Sequence, residues 1–379
     1  MSLYSRDDER TIRQQRLVED WTKSGLITPE QRAQMQPSLQ VDLRRTNLFL
    51  RITLFLFAFL IINALAGLVV VFLDNMMSAT TLQWLAFGAA IASVLAAQAV
   101  VKAYRLYHFG VEEALCAAAV VFLAIAFAQL PGEFSTMLGF AGATVGALVV
   151  FVRFNYTYAA VAATLLAPLV VFDNEQSDTF RRLVAFVLLF AIFFIARQRR
   201  EDHKPDHPAD TFGMVQAVAW GGMYVITNLK VSSLLSVPDG YGAVYWTTYV
   251  AIWIMPIAGL VGAIRDRHRA LLNVNIVLAI VTLLSNKPYL GAESKPWDPI
   301  LFGVFMLAIA IGVRRWLESG PNGSRAGYVA GRILRSESDT LSLLGSATVL
   351  APGAPAATSD QPASFGGGES GGGGATGKF

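Results

Sequence analysis

The chain has 379 residues and a formal net charge of +3, and 54% of its residues are hydrophobic while only 15% are charged. Because an average soluble domain carries roughly 25% charged residues, most of this chain is not suited to face water. The composition excludes a soluble globular fold, and its nearly balanced charge gives no support for nucleic acid as a partner. It predicts an all-α, polytopic bundle of transmembrane helices.

Residues 1–45 form a polar segment ahead of the first apolar run and are predicted to fold as a small cytoplasmic helical hairpin. Apolar residues such as Leu17 and Trp21 recur there at helical spacing. Thr28 and Gln31 match a capping box, which marks the start of a second helix. The segment lacks the apolar core of a secretory signal peptide, so we expect the first span to stay uncleaved and to start insertion.

Residues 46–317 are predicted to form the transmembrane domain, because apolar runs of about 16 to 25 residues alternate with short polar loops and can each cross a ~30 Å hydrocarbon core. Ten spans are expected, with limits near 47–73, 81–101, 110–130, 135–152, 156–172, 181–197, 212–229, 243–264, 270–286 and 299–316. A small-residue face in the fourth span, with Gly142 and Gly146, predicts close packing against a neighbouring helix. Residues 318–379 become polar and then Gly-rich, which predicts a largely disordered tail.

The distribution of basic residues predicts the orientation. With ten spans, Arg and Lys near the membrane concentrate on the side of the N-terminus, and a smaller group lies on the other side. The smaller group is Arg181, Arg182, Lys230, Lys287 and Lys295. The pattern favours a multi-pass membrane protein with both termini in the cytoplasm.

The approach to the third span and the span itself hold the candidate functional residues. Ionisable side chains at a membrane boundary are functional candidates, because burying them is costly unless they are paired or wet. The candidates are Arg105, His108, Glu112, Glu113 and Gln129.

Two interpretations of the carboxylates are open. Glu112 and Glu113 complement the dipole of a helix that begins at this point, or one of them pairs with Arg105 or His108 in a desolvated site. If the helix begins before Gly110, the spacing of four residues predicts that His108 contacts Glu112. Gln129 lies about 24 Å beyond Glu113 along a helix, so it is expected to bond a neighbouring helix instead.

No catalytic constellation is present, and an enzyme is not expected. The sequence contains no P-loop, dinucleotide-binding fingerprint, nucleophile elbow or zinc-protease motif. Cys116 is the only cysteine, which excludes an intrachain disulfide and a cysteine-rich metal site. His203 and His207 lie in a polar loop whose prolines prevent a regular helix, so a solvated loop is favoured over the alternative of a divalent-metal site. No metal and no cofactor is predicted.

The start of the chain resembles an uncharacterised family of predicted bacterial membrane proteins, in which an N-terminal helical hairpin precedes eight or more spans. The resemblance rests on residues 17–31 of the hairpin and on Gly110, Glu113 and Gln129 of the third span. It covers roughly the first 140 residues and implies this topology in a bacterial cytoplasmic (inner) membrane, with Glu113 as the residue that matches the family. Because the family has no established activity, the resemblance implies no catalytic residue.

Two hypotheses on function remain. The favoured hypothesis is a transporter-like protein for a small solute or lipid, which needs polar side chains from several spans to converge near the middle of the membrane. The candidates are Asn63, Gln98, Gln216, Thr247, Thr248, Asn273 and Asn275. In a non-catalytic scaffold or sensor the hairpin binds a protein partner, and these side chains serve separate helix contacts. Membrane lipids are partners in both cases, and the oligomeric state stays open.

Overall fold

The computed structural model describes residues 3–23, 25–73, 78–132, 134–172, 177–202, 208–231, 242–291, 295, 297–320, 324–325 and 328–329. Within these ranges the chain forms twelve α-helices. They are α1 (Arg6–Lys23), α2 (Pro29–Met35), α3 (Leu48–Phe72), α4 (Ala79–Tyr104), α5 (Val111–Ala128), α6 (Ser135–Phe154), α7 (Thr157–Leu166), α8 (Asp178–Asp202), α9 (Pro208–Thr227), α10 (Ala243–Arg265), α11 (Arg269–Tyr289) and α12 (Asp298–Glu318).

Short elements complete the described part of the chain. A turn of 3-10 helix follows α2 at Gln36–Leu39, and another continues α7 at Ala167–Val171. Two strands of two residues each, β1 (Ser324–Arg325) and β2 (Tyr328–Val329), pair antiparallel after α12. Apart from these four strand residues, every described element is helical, which confirms the predicted all-α class for the described residues.

Seven of the described helices are long and apolar enough to cross a membrane, by length and composition. They are α3, α4, α5, α6, α8, α10 and α11. This set fits a membrane-embedded helical bundle. Each of the ten predicted spans falls on one of the helices α3 to α12, and the count of ten stays a prediction.

Local sequence signals start several of these helices. Thr28 and Gln31 form the predicted capping box at α2, with the Gln31 amide 3.3 Å from Thr28 Oγ1 and the Thr28 amide 2.8 Å from Gln31 Oε1. Asn47 caps α3 by accepting a 2.8 Å hydrogen bond from the Leu50 amide. Each cap satisfies an amide that the first helical turn leaves without an intrahelical acceptor.

The small-residue face predicted on the fourth span packs closely against α5. A Cβ atom on Gly142 would lie 2.7 Å from the carbonyl oxygen of Leu123, and one on Gly146 would lie 3.2 Å from the Cα of Val120. The first of these distances leaves no room for a side chain. The two helix backbones therefore approach as the sequence predicted.

Buried apolar side chains form two main clusters. One joins α4, α5 and α6 to the start of the chain and includes Tyr4, Ile12 and Phe154. The other lies among α8, α9, α10 and α11 and includes Met223 and Ile252. We call residues 3–46 the N-terminal segment, and its place in the first cluster means that it is docked on the bundle.

Parts of the predicted organisation fall outside the described residues. The helix α12 ends at Glu318, where the predicted tail begins, and β1 and β2 lie within that predicted tail. Residues 330–379 are not described, and neither is the loop with His203 and His207. The predictions for the disorder of the tail and for this loop are therefore not tested.

Candidate functional site

A tight turn between α4 and α5 positions the candidate residues. Arg105 and His108 adopt left-handed φ angles of 51° and 53°, and Gly110 has a φ of 111°. The N-terminal segment pairs with this turn through backbone hydrogen bonds, from the Arg44 amide to the Arg105 carbonyl (2.8 Å) and from the Tyr107 amide to the Arg44 carbonyl (3.0 Å). The turn is therefore held to the segment that leads into α3.

Gly110 brings the start of α5 against α3. A Cβ atom at this position would lie 2.3 Å from the carbonyl oxygen of Arg51. Glycine has no Cβ and tolerates a positive φ, so it meets both requirements of this site. The close approach places the Arg51 side chain of α3 beside the first turn of α5.

Glu113 is the centre of a buried charged group. Its carboxylate accepts two hydrogen bonds from the Arg51 guanidinium. Nη2 donates to Oε1, and Nε donates to Oε2 at 2.7 Å. His108 Nδ1 donates to the same carboxylate, 2.7 Å from Oε1. Glu113 is only 5% exposed, so the paired guanidinium and imidazole compensate its desolvation.

Glu112 has a different environment. It is fully buried, and its Oε1 accepts a 2.6 Å hydrogen bond from the Phe109 amide. Its Oε2 makes no hydrogen bond with the residues that the structure describes. Both glutamates lie in the first turn of α5, the position at which a carboxylate complements the helix dipole.

The predicted contact between His108 and Glu112 is wrong, because His108 binds Glu113. The spacing rule applies only within a continuous helix. His108 has a positive φ and precedes Gly110, the N-cap of α5, so no helical turn connects it to Glu112.

The two remaining candidates lie apart from this group. Arg105 forms an ion pair with Asp42, and both side chains are mostly exposed to solvent. Exposed pairs of this kind contribute little to stability. Gln129 is the C-cap of α5, and its side chain makes no hydrogen bond with the described residues, so the predicted bond to a neighbouring helix is not found among them.

Aromatic side chains surround His108. Its ring centroid lies 4.5 Å from that of Tyr107 and 5.1 Å from that of Tyr156. Tyr4 of the N-terminal segment packs edge-on against Tyr107 at 5.0 Å, and its hydroxyl lies 3.1 Å from that of Tyr156. Burial raises the pKa of Tyr107 to about 12 and also raises that of Tyr4, so both phenols are neutral.

Two further contacts hold the N-terminal segment on the bundle. The Leu3 amide donates to the Arg153 carbonyl at the end of α6 (2.8 Å). The Glu9 carboxylate accepts from Asn155 Nδ2 at 3.1 and 3.2 Å. The segment is thus anchored where α6 ends and α7 begins.

Arg51 and Tyr4 belong to the site but were not among the residues predicted from the sequence. A signal for Arg51 was available, since it is the only charged residue of α3 and an intramembrane charge requires a partner. For Tyr4 no local pattern indicates a contact with residues about 150 positions away.

A second polar constellation runs between α9 and α11. Trp220 Nε1 donates to Asn275 Oδ1 at 2.8 Å, and one turn further along α9 the Tyr224 hydroxyl lies 2.8 Å from Thr282 Oγ1. Just past the C-terminal end of α9, an amide donates to a hydroxyl on α11, from Asn228 Nδ2 to Ser285 Oγ at 2.9 Å. The spacing of four residues places the α9 side chains on one face.

Five of the seven polar candidates for a transport cavity serve separate contacts. Asn63, Thr247 and Thr248 each donate to a carbonyl of their own helix. Gln98 accepts from Arg153, Asn275 belongs to the α9–α11 constellation, and Asn273 is exposed. Gln216 is fully buried, and neither atom of its amide has a hydrogen-bond partner among the described residues.

A cavity of about 380 Å³ lies between α6, α7, α8 and α9. Its lining is mostly apolar, with Thr144 and Thr164 as the polar members, and it includes none of the seven candidates. In the part of the chain that the structure describes, no group of three or more His, Cys, Asp and Glu side chains is placed to hold a metal ion.

Comparisons with known proteins add no assignment. No protein-family model matches the chain, and searches of curated proteins and of solved structures found no match. The fold and site define a membrane-embedded helical protein with a docked N-terminal segment. Its function has to be argued from this geometry.

Proposed function

We propose that the protein is a non-catalytic membrane sensor or scaffold, and that the N-terminal segment, the predicted helical hairpin, binds a protein partner. The proposal includes the predicted topology, with ten spans in a bacterial cytoplasmic membrane and both termini in the cytoplasm. The observation that carries it is an exposed apolar face on a segment that lies outside the spans.

The exposed face consists of Leu17 and Trp21 on α1 and Leu26 in the turn that follows. Leu17 and Trp21 are one helical turn apart and are 39% and 37% exposed, and Leu26 is 58% exposed. Ile12 on the same helix is buried against the bundle, so α1 has a docked side and an open side. Clustered apolar side chains in water mark interaction surfaces, because their burial by a partner is favourable.

The docked side links this surface to the membrane helices. Tyr4 contacts Tyr107, Tyr107 contacts His108, and His108 binds the Glu113 carboxylate that also holds Arg51. These contacts form a continuous chain from the N-terminal segment to α3 and α5. A partner that shifts the segment would therefore alter the packing at Glu113, which is the physical requirement for signalling through the bundle.

The transporter-like hypothesis has less support. Five of its seven polar candidates bond to their own helices or to single neighbours, as a scaffold or sensor requires. The cavity between α6 and α9 is lined mostly by apolar groups. Transport of a small solute or lipid stays a prediction, with Gln216 as the buried polar residue to test first.

Photo-crosslinking in cells tests the proposal. A photoreactive amino acid at position 17 or 26 of the full-length chain should give the same defined protein adduct from both sites. The control is position 65, because Leu65 lies on α3, one of the predicted spans, and is 58% exposed. Absence of a protein adduct at both positions of the N-terminal segment would contradict the proposed role.

A further inference from the structure

We propose that the N-terminal segment also carries a binding site for the phosphate headgroup of an anionic membrane lipid. The site is a groove of about 240 Å³ between α1, the 3-10 turn after α2 and the residues that lead into α3. We call it the arginine groove. The residues that line it include Gln15, Arg16, Glu19, Arg32, Leu39 and Arg45. This inference goes beyond the protein partner and does not depend on it.

The groove has an excess of positive charge. Three guanidinium groups line it, from Arg16, Arg32 and Arg45, against the single carboxylate of Glu19. That carboxylate forms an ion pair with Lys23 at 2.9 Å, and this contact lowers the pKa of Glu19. The groove therefore attracts an anion.

Two of the three guanidinium groups are available to a ligand. The side chains of Arg16 and Arg32 make no hydrogen bond or ion pair with the described residues. Arg45 donates from one of its guanidinium nitrogens, Nη2, to Gln15 Oε1. A guanidinium presents up to five N–H donors in a planar fork that matches two phosphate oxygens, so arginine is well suited to this ligand.

Gln15 holds the walls of the groove together. Its Nε2 donates to the Leu39 carbonyl at the end of the 3-10 turn, while its Oε1 accepts from Arg45. One side chain on α1 thereby fixes two other parts of the chain. A groove whose walls are already positioned loses less conformational entropy when it binds a ligand.

The position of the groove selects a lipid as the source of the phosphate. Arg45 precedes Leu48, the first residue of α3, by three positions, so their Cα atoms are within about 11 Å of each other. The start of α3 exposes Leu48 and Phe49, as a helix entering hydrocarbon does. Basic residues next to a span attract anionic lipids of the same leaflet.

The groove and the apolar face are separate surfaces. Gln15 and Glu19 lie about 200° around α1 from Leu17 and Trp21, at 100° per residue. The N-terminal segment can therefore bind a lipid headgroup on one side and a protein on the other.

Native mass spectrometry of the full-length protein in detergent tests the site. The protein is titrated with phosphatidylglycerol and, separately, with phosphatidylcholine, and we expect at least about tenfold tighter binding of the anionic lipid. Inorganic phosphate is the second arm, because a site for soluble phosphate would release the lipid when phosphate is added. We expect the lipid to stay bound.

Two groove variants and a matched control locate the binding. The triple variant Arg16→Gln, Arg32→Gln, Arg45→Gln should lower phosphatidylglycerol affinity about 100-fold, or about fivefold for each arginine. The single variant Arg32→Gln removes no hydrogen bond or ion pair with a described residue, so it should fold normally and lose about fivefold in affinity. The control removes three charges outside the groove, by Arg44→Gln, Arg314→Gln, Arg315→Gln, and should lose far less affinity than the triple groove variant.

Several results would overturn the proposal. Equal affinity for the two lipids, an equal loss in the control variant, or an unchanged affinity in Arg32→Gln would each exclude a lipid site in the groove. Displacement of the lipid by inorganic phosphate or by an acidic peptide would assign the groove to that ligand instead. Photo-crosslinking at positions 17 and 26 would be unaffected by any of these results, so the two proposals fail independently.

Discussion

Arg51 in the first turn of α3 is bound to Glu113 in the first turn of α5, with the guanidinium Nε 2.7 Å from the carboxylate Oε2. The two residues are 62 positions apart, and the turn at Gly110 brings them together. His108 completes the group and connects it to the N-terminal segment. Through His108 and Tyr107, this ion pair is one of the places where the membrane helices meet the docked segment.

Replacement of the acidic partner tests the strength of this group. Glu113→Gln leaves the Arg51 guanidinium partly buried without its counter-charge, and we expect a loss of about 3 kcal/mol in the free energy of unfolding. Asp42→Asn is the matched control, because it breaks the exposed pair with Arg105 and should cost less than about 1 kcal/mol. Unfolding in detergent provides the measurement, and equal losses in the two variants would contradict a buried ion pair.

The backbone approach at Gly110 gives a second prediction. Gly110→Ala places a Cβ atom 2.3 Å from the Arg51 carbonyl oxygen at a φ of 111°, so α3 and α5 must separate. We expect a loss of about 2 to 4 kcal/mol from strain and poorer packing. Gly88→Ala in α4 is the control, since a Cβ there meets nothing within 4 Å. Similar thermal melts for the two variants would show that the approach is not tight.

The sequence was sufficient to predict the helices and the small-residue contact of α6 with α5. Both depend on local signals, namely long apolar runs, capping residues such as Thr28, and glycines at spacings of three and four. These signals predict where along a helix a residue lies, but they do not predict which neighbouring helix its side chain faces. Gln129 was therefore placed correctly at the end of α5, while its expected partner was not found among the described residues.

The composition of the candidate site required the tertiary structure. His108 was assigned to Glu112 because the start of α5 was taken to lie before Gly110. A positive φ at two non-glycine residues of the turn, Arg105 and His108, is not visible in the sequence. The contacts of Arg51 and Tyr4 join distant parts of the chain, and no spacing rule reaches that far.

The constellation between α9 and α11 predicts a modest effect of a single hydroxyl. Tyr224→Phe removes the hydrogen bonds to Thr282 and Asn228. Interhelical hydrogen bonds in membranes contribute about 0.6 to 1.7 kcal/mol, so we expect a loss of about 1 kcal/mol. Tyr104→Phe, at an exposed position with no hydrogen bond to the described residues, should have no effect. A loss above about 3 kcal/mol would mean that the constellation acts as one cooperative unit.

His268 predicts how stability depends on pH. It lies in the loop between α10 and α11, where burial and the nearby Arg200 lower its pKa from 6.5 to about 4, against a smaller opposing effect of Asp266. On acidification the unfolded chain therefore binds a proton before the folded one does. This contribution to stability is complete above pH 6.5 and is lost as the pH falls toward 4.

The variant His268→Asn isolates this effect. Because it removes the titrating group, its stability should fall less than that of the wild type between pH 7 and pH 4.5 in detergent. Other groups titrate equally in both proteins, so the difference between the two slopes reports His268. Identical slopes would contradict a buried, neutral histidine.

Hydrogen–deuterium exchange of the N-terminal segment tests the central claim most directly, namely that this segment is coupled to the Glu113 group in the bundle. In the wild type, the amides of residues 6–23 should be protected because Tyr4 and Ile12 are buried against α4, α5 and α6. Glu113→Gln should increase exchange in these residues, because His108 loses its charged acceptor and the aromatic contacts with Tyr107 and Tyr4 loosen. The control Asp42→Asn should leave exchange unchanged. Equal protection of residues 6–23 in the wild type and in Glu113→Gln would contradict the coupling.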